Sequence, residues 1–292
     1  MSTMVGSNAK PGAATNLWKH LYCWGLILLD LFPIYIVVIS AFDPTGSLAS
    51  SSLIPKHWDT KNFRLLFDNN GSIPFTTWVW NSIQIAAITA LISTSVGAAA
   101  AYALARLRFR GRRISLNLIL LVQVFPSFLA LAAIYRMMEQ VYVVFPSFGL
   151  GSTGGLILIY LGGSMGVNAW LLKGFLDSIP ADLDEAAAID GASPTQTFWL
   201  VVAPLMAPVL AVTAVLSFIG TFNEFVIASF FLTDVDQRTV AVGLQAFVGA
   251  QYGQNWGPFA AGSLLASIPM VVLFLVFQRY IVSGLTGGAT KG

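Results

Sequence analysis

Charge is what this sequence has least of. Asp, Glu, Lys and Arg make up 10% of its 292 residues, while 56% are hydrophobic and the mean hydropathy is +0.75. A soluble domain carries about a quarter charged residues, so this composition reads as a membrane protein. The net charge of +2 gives no electrostatic footprint for a nucleic acid. A single cysteine, Cys23, excludes an internal disulfide, and its place in an apolar run predicts a buried, inert thiol. Only two histidines are present, His20 and His57, and they are expected near opposite faces of a membrane. No clustered Cys/His set exists for a metal, and no Ser/His/Asp arrangement for hydrolysis. The phosphate-binding pattern G-x-x-x-x-G-K-[ST] is also absent. The tail GLTGGATKG has the right residues in the wrong order, with no strand before it. No catalytic residue, metal or cofactor is expected in this chain.

What the chain does have is long apolar runs, and they predict an all-α, polytopic membrane protein with six spans. Residues 1–16 read as a polar tail, residues 17–282 as the transmembrane domain and residues 283–292 as a second polar tail. The expected spans are Trp18 to Phe42, Val79 to Leu104, Ile114 to Met138, Gly155 to Phe175, Val202 to Phe222 and Pro258 to Tyr280. Asp43 to Trp78 and Thr233 to Gly257 read as polar connections. From Val201 to Leu232 the apolar run would make a helix of about 48 Å, against a hydrocarbon core of about 30 Å. It must tilt or break, and Thr221, Asn223 and Glu224 mark the break. Six spans put both termini on one side. The basic cluster Arg106, Arg108, Arg110, Arg112 and Arg113 fixes that side as cytoplasmic. Ten Lys and Arg then lie inside and five outside. Asp30, in the first span beside Pro33, is either a protonated or paired acid at a kink or a functional group at depth.

Between the fourth and fifth spans lies the loop 177–204, with its core IPADLDEAAAIDGASPTQTFWLVVAP from Ile179 to Pro204. Pro180 suits a first helical position. Asp182, Asp184 and Glu185 follow where the positive end of a helix dipole favours acids. Gly191 stands where a helix stop of positive φ is expected. Ser193, Pro194 and Gln196 form a second start with a capping box. Ala186, Ala187, Gly191 and Ala192 make a small-residue patch that lets another surface come close.

This loop resembles the coupling loop of ATP-binding-cassette importer permeases, whose pattern is Glu-Ala-Ala, three residues, Gly, nine residues, Ile, one residue, Leu-Pro. Here it reads Glu185-Ala186-Ala187, Gly191, Val201, Ala203-Pro204, with two aliphatic departures. More of the chain is similar to sugar-importer permeases: AAYALARLRFRGRR at 100–113, LLKGFLDSIPADLDEAAAIDGAS at 171–193, FNEF at 222–225 and NWGPFAAGSLLASIP at 255–269. The end, QRYIVSGLTGGATKG, is similar to that of MalG-type permeases of the maltose and maltodextrin importers. The likeness covers nearly all residues from 17 onward.

The resemblance implies a permease subunit in a bacterial or archaeal cytoplasmic membrane, importing maltose, maltodextrin or a related oligosaccharide such as trehalose. It implies a second (MalF-like) permease subunit, two (MalK-like) ATPase subunits that hold ATP and Mg, and an extracytoplasmic sugar-binding protein. It places Asp184, Glu185, Ala186, Ala187, Asp190, Gly191 and Pro204 against the ATPase. It also gives Gly284, Thr286, Gly287 and Lys291 to an ATPase contact. Gln251, Tyr252, Asn255 and Trp256 would face the binding protein. Polar groups in the spans, Gln84, Gln123, Asn168, Trp170, Asn223 and Glu224, are candidates for the sugar path or for contacts between helices. Two other readings stay open from sequence: a permease for another solute of the same superfamily, and an ion-coupled transporter using Asp30.

Overall fold

In the computed structural model, residues 13–45, 58–68, 73–249 and 255–287 are described, and among them every regular element is helical. Five helices are long and apolar enough to cross a membrane by length and composition: Leu17–Phe42, Phe75–Arg106, Thr153–Leu176, Pro194–Phe222 and Trp256–Tyr280. They fall within α1 (Ala13–Phe42), α3 (Phe75–Arg106), α6 (Thr153–Leu176), α9 (Ala203–Phe222) with its leading turns, and α12 (Trp256–Gly287).

The expected third span is not one helix. α4 (Arg112–Val124) stops at Phe125, Ser127–Ala130 forms a 3-10 turn, and α5 (Leu131–Val144) follows. Pro126 accounts for the break. It lacks an N–H, and it pushes the preceding residue out of helical backbone, which places Phe125 in extended conformation. The fifth span breaks where expected. α9 ends at Phe222, and the short α10 (Val226–Phe231) restarts after Asn223, Glu224 and Phe225.

Both polar connections hold helices that hydropathy did not reveal. α2 (Lys61–Leu66) sits in the first. Its Asn62 is buried and donates to the Ala41 carbonyl at 3.0 Å and the Asp43 carbonyl at 2.8 Å. α11 (Val240–Val248) sits in the second, with Val240, Gly243, Leu244 and Phe247 buried. It packs so closely on α3 that a side chain at Gly243 would strike the ring of Trp78. The last helix runs to Gly287, past the expected boundary at residue 282; no proline interrupts it after Pro269.

α3 is the central element, lying along α6 and α9. Its inner face carries Ala90, Ser93, Thr94, Gly97, Ala98 and Ala101. Small residues suit a membrane interior, where lipid is as apolar as a side chain and helices associate through close packing instead. A Cβ on Gly97 would lie 2.8 Å from the Cβ of Asn168 on α6, so only glycine allows that approach.

α1 stands apart. It leans on α12, and from Leu17 to Tyr35 its side chains are exposed. Cys23 is therefore exposed rather than buried, because no helix among the described residues covers that face. Asp30 lies on the same exposed stretch and not inside the bundle, which removes it from any ion path between these helices.

Candidate coupling and transport site

α7 (Asp182–Ile189) is the first helix of the hairpin at the centre of the loop. Pro180 lies just before its Ala181 cap rather than at the first helical position. Asp182, Asp184 and Glu185 occupy the first turn. The helix ends as a Schellman motif: the N–H of Gly191 donates to the Ala188 carbonyl at 3.1 Å, and that of Ala192 to the Ala187 carbonyl at 2.9 Å. This closure places Gly191 at φ 84°. Ser193 then caps α8 (Pro194–Thr197) in a capping box with Gln196, as the sequence predicts. A π-turn, Phe198–Val202, carries the chain without a gap into α9, so Pro204 sits in the first turn of that span.

The hairpin has two faces. Glu185, Ala186, Asp190 and Gly191 are exposed, as is Pro204 at the base. Ile189 is 86% exposed at the tip, a large aliphatic side chain with nothing over it. Ala187 is buried and Asp184 is turned inward. Asp184 accepts a hydrogen bond from the Tyr102 hydroxyl at 3.0 Å, and its other oxygen lies 2.9 Å from Arg106 Nε. That Nε–H is not aimed at the carboxylate, so the contact is an ion pair rather than a hydrogen bond. The second arm of Arg106 donates to the carbonyls of Leu176 at 3.3 Å and Ile179 at 2.7 Å. One guanidinium thus ties the ends of α3 and α6 to the first turn of α7. A cleft of about 520 Å³ opens beside it, lined by Arg106, Arg108, Glu185, Ala188, Ala192 and Thr197, among others.

The coupling sequence drew attention to Asp184 as an outward contact, and its partners Tyr102 and Arg106 were missed. Their signal is spacing: four residues apart in the last turn of α3, they share one face. Ile189 was missed because an aliphatic residue inside a helix reads as core.

The candidate path residues do not come together. Asn168 is buried between α3, α6 and α9, donating to the hydroxyls of Ser93 and Ser217, both at 3.0 Å. Gln123 donates to the Gly163 carbonyl at 3.2 Å and lines a cavity of about 690 Å³ with Tyr160 and apolar side chains of α5 and α6. Glu224 accepts from the Tyr160 hydroxyl at 2.5 Å and from the amides of Ile227 and Ala228, holding the start of α10 against α6. Asn223 lines a separate cavity of about 430 Å³ against α11 and α12. Gln84 and Trp170 are exposed on their helices.

Asn168→Ala should lower the thermal midpoint in detergent, since it removes the interhelical partner of two hydroxyls at a cost of roughly 0.6–2 kcal/mol. Apparent sugar affinity should not change. A weaker affinity at an unchanged midpoint would instead assign Asn168 to the path.

Among the other predicted contacts, Asn255 and Trp256 stand at the start of α12, and Trp256 meets Phe259 edge-on. Gln251 and Tyr252 lie outside the described residues. Gly284, Thr286 and Gly287 fall on the last turns of α12, and Lys291 lies outside the described residues.

Residues 93–287 match the family of binding-protein-dependent transport system inner membrane components. The chain is 40% identical over 290 residues to a maltose/maltodextrin transport system permease protein MalG of Vibrio vulnificus, covering 95% of this chain and 96% of that one. It is likewise 40% identical over 286 residues to the MalG of Photorhabdus laumondii, covering 94% and 96%. Its fold is similar to a solved bacterial ABC transporter involved in the import of the acidic polysaccharide alginate. There the TM-score is 0.71 at 21% identity, covering 94% of this chain and 99% of that chain. With the family pattern matched across the hairpin and the spans around it, the chain belongs to the binding-protein-dependent transport system inner membrane components.

Proposed function

We propose that this chain is the permease subunit of an ATP-driven sugar importer for maltose, maltodextrin or a related oligosaccharide such as trehalose. It works with a second permease subunit, two ATPase subunits that bind ATP and Mg, and an extracytoplasmic sugar-binding protein. The observation that carries the reading is the two-faced hairpin. Its outer face offers Glu185, Ala186, Ile189 and Asp190 to a partner, while Asp184 on the inner face is held by the permease's own helices. The sugar class rests on the 40% identity to maltose/maltodextrin permeases over almost the whole chain.

ATP binding closes the ATPase pair and carries the docked hairpin with it. Through Arg106 that movement reaches α3 and α6 together, and the spans change from inward to outward access. Hydrolysis returns them. The last turns of α12, with Lys291, contribute a further contact to the ATPase pair, and the segment from Gln251 to Trp256 faces the binding protein. The deciding experiment reconstitutes the complex in proteoliposomes with the binding protein outside and measures maltose uptake. Uptake that requires ATP supports the reading, whereas uptake by this chain alone under a proton gradient overturns it.

In this arrangement α4 and α5 together make the sixth crossing, and both termini lie in the cytoplasm. The hydrogen bonds from Arg106 put the basic turn after α3 at the same end as the hairpin, where positive residues mark the inner side. Reporter fusions after Arg113 and after Gly191 should both read as cytoplasmic, and one after Ser50 as external. The reverse pattern would overturn the topology.

A further inference from the structure

A turn of five residues joins α3 to α4, and apolar and basic side chains alternate along it. Leu107 leaves α3 in extended backbone, and Gly111 closes the turn at φ 95° as the cap of α4. Leu107, Phe109 and Ile114 are 40%, 45% and 65% exposed. Two of the five arginines here are committed: Arg106 to the hairpin, and Arg112 to the Ala105 carbonyl at 3.3 Å. Arg108, Arg110 and Arg113 are exposed and make no ion pair or side-chain hydrogen bond with the described residues. No side chain caps α4, so its first amides face outward at the positive end of a 13-residue helix. Arg108, Phe109, Arg110, Gly111, Arg113 and Ile114 line a hollow of about 610 Å³ around this point.

Three uncommitted cations, an uncapped helix start and bare apolar side chains match a ligand that is anionic at one end and apolar at the other. In the topology proposed above, the turn lies between two crossing segments and so at the membrane surface. We propose that it binds the phosphate headgroup of an anionic phospholipid. Arg108, Arg110, Arg113 and the first amides of α4 surround the phosphate, and Phe109 and Ile114 cover the glycerol and upper acyl chains. An acidic protein surface would satisfy the arginines but leave those two side chains in water.

The test uses the full chain with its co-purifying subunits, in phosphatidylcholine nanodiscs with and without phosphatidylglycerol. Native mass spectrometry after detergent extraction reads the retained lipid. Wild type should retain phosphatidylglycerol in preference to phosphatidylcholine. An arginine near an anionic surface shifts this partition by roughly fivefold, so changing Arg108, Arg110 and Arg113 together to Gln should weaken retention by roughly a hundredfold. The triple Lys variant should keep much of the preference, because it keeps the charge. If the triple Gln variant fails to insert, Arg110→Gln and Arg113→Gln alone should each show the roughly fivefold step. Unchanged phosphatidylglycerol retention in these variants would overturn the proposal. So would displacement of the lipid by soluble glycerol phosphate, which would mean a free-anion site. Loss of the ATPase subunit with lipid retention intact would make the turn a protein contact instead.

Discussion

Gly191→Val should leave the chain in the membrane at normal abundance, while the ATPase subunit no longer co-purifies and transport falls to near background. Gly191 closes the Schellman motif at φ 84°. That backbone costs a residue with a Cβ about 1–2 kcal/mol, and a β-branched one fares worse. A Cβ built at Gly191 has no atom within 4 Å, so the effect is backbone strain alone, with no clash to confuse it. The strained chain relaxes by unwinding the last turn of α7, which carries Ile189 and Asp190 and sets the direction of the exposed face. The spans pack through α3, α6 and α9 and do not use this turn, so insertion should be spared. The order Asn, then Ala, then Val should run from mild to severe, because asparagine tolerates left-handed backbone best of the three. Wild-type transport in the Val variant would refute the docking role. Disappearance of the protein from the membrane would mean that the turn serves folding.

Arg106→Ala should be the most damaging single change at the inner face. Its ion pair with Asp184 is largely buried, the two side chains being 12% and 16% exposed. Breaking a fully buried pair costs 3–5 kcal/mol, because one charge is left without its partner. Here the Nε–H is misaligned and some water reaches the site, so we expect roughly 2–3 kcal/mol. The variant also takes the Arg106 donor from the Ile179 carbonyl, while the Leu176 carbonyl still accepts from the Ile179 amide at 3.1 Å. The signature should be uncoupling: the ATPase still binds through the outer face, but sugar and binding protein no longer stimulate hydrolysis. Asp184→Asn should be milder, since an amide oxygen can still accept from Tyr102. Tyr102→Phe should be mildest, losing one hydrogen bond worth about 1 kcal/mol. ATPase stimulation in the assembled complex, measured across the three variants, checks the order. If Arg106→Ala abolishes ATPase binding outright, the outer face depends on the clamp for its shape and the two faces are not separable.

The broad architecture was legible because the forces behind it are local in sequence. Apolar runs longer than the bilayer needs show the spans, and Gly191, Ser193, Pro194 and Gln196 mark the hairpin by backbone chemistry alone. The breaks at Pro126 and at Asn223–Glu224 also have local causes, though the first was underestimated. α2 and α11 were invisible because they are short and are held by partners far away in the chain: Asn62 by the end of α1, and Gly243 by Trp78 on α3. The path candidates could not be sorted from sequence, since a polar side chain in a span looks the same whether it meets a sugar or another helix. Only packing puts Asn168 between two serines and Glu224 against Tyr160.

By itself, the sequence determined the membrane class, five runs long and apolar enough to cross, the absence of a P-loop motif and the place and shape of the hairpin, all of which depend on neighbours a few residues apart. Tertiary structure decided which face of that hairpin is free. Asp184 and Glu185 are adjacent acids that no local rule separates. Folding brings Tyr102 and Arg106, some 80 residues earlier in the chain, against the first of them, while the second stays exposed at the side of the helix that a partner can reach.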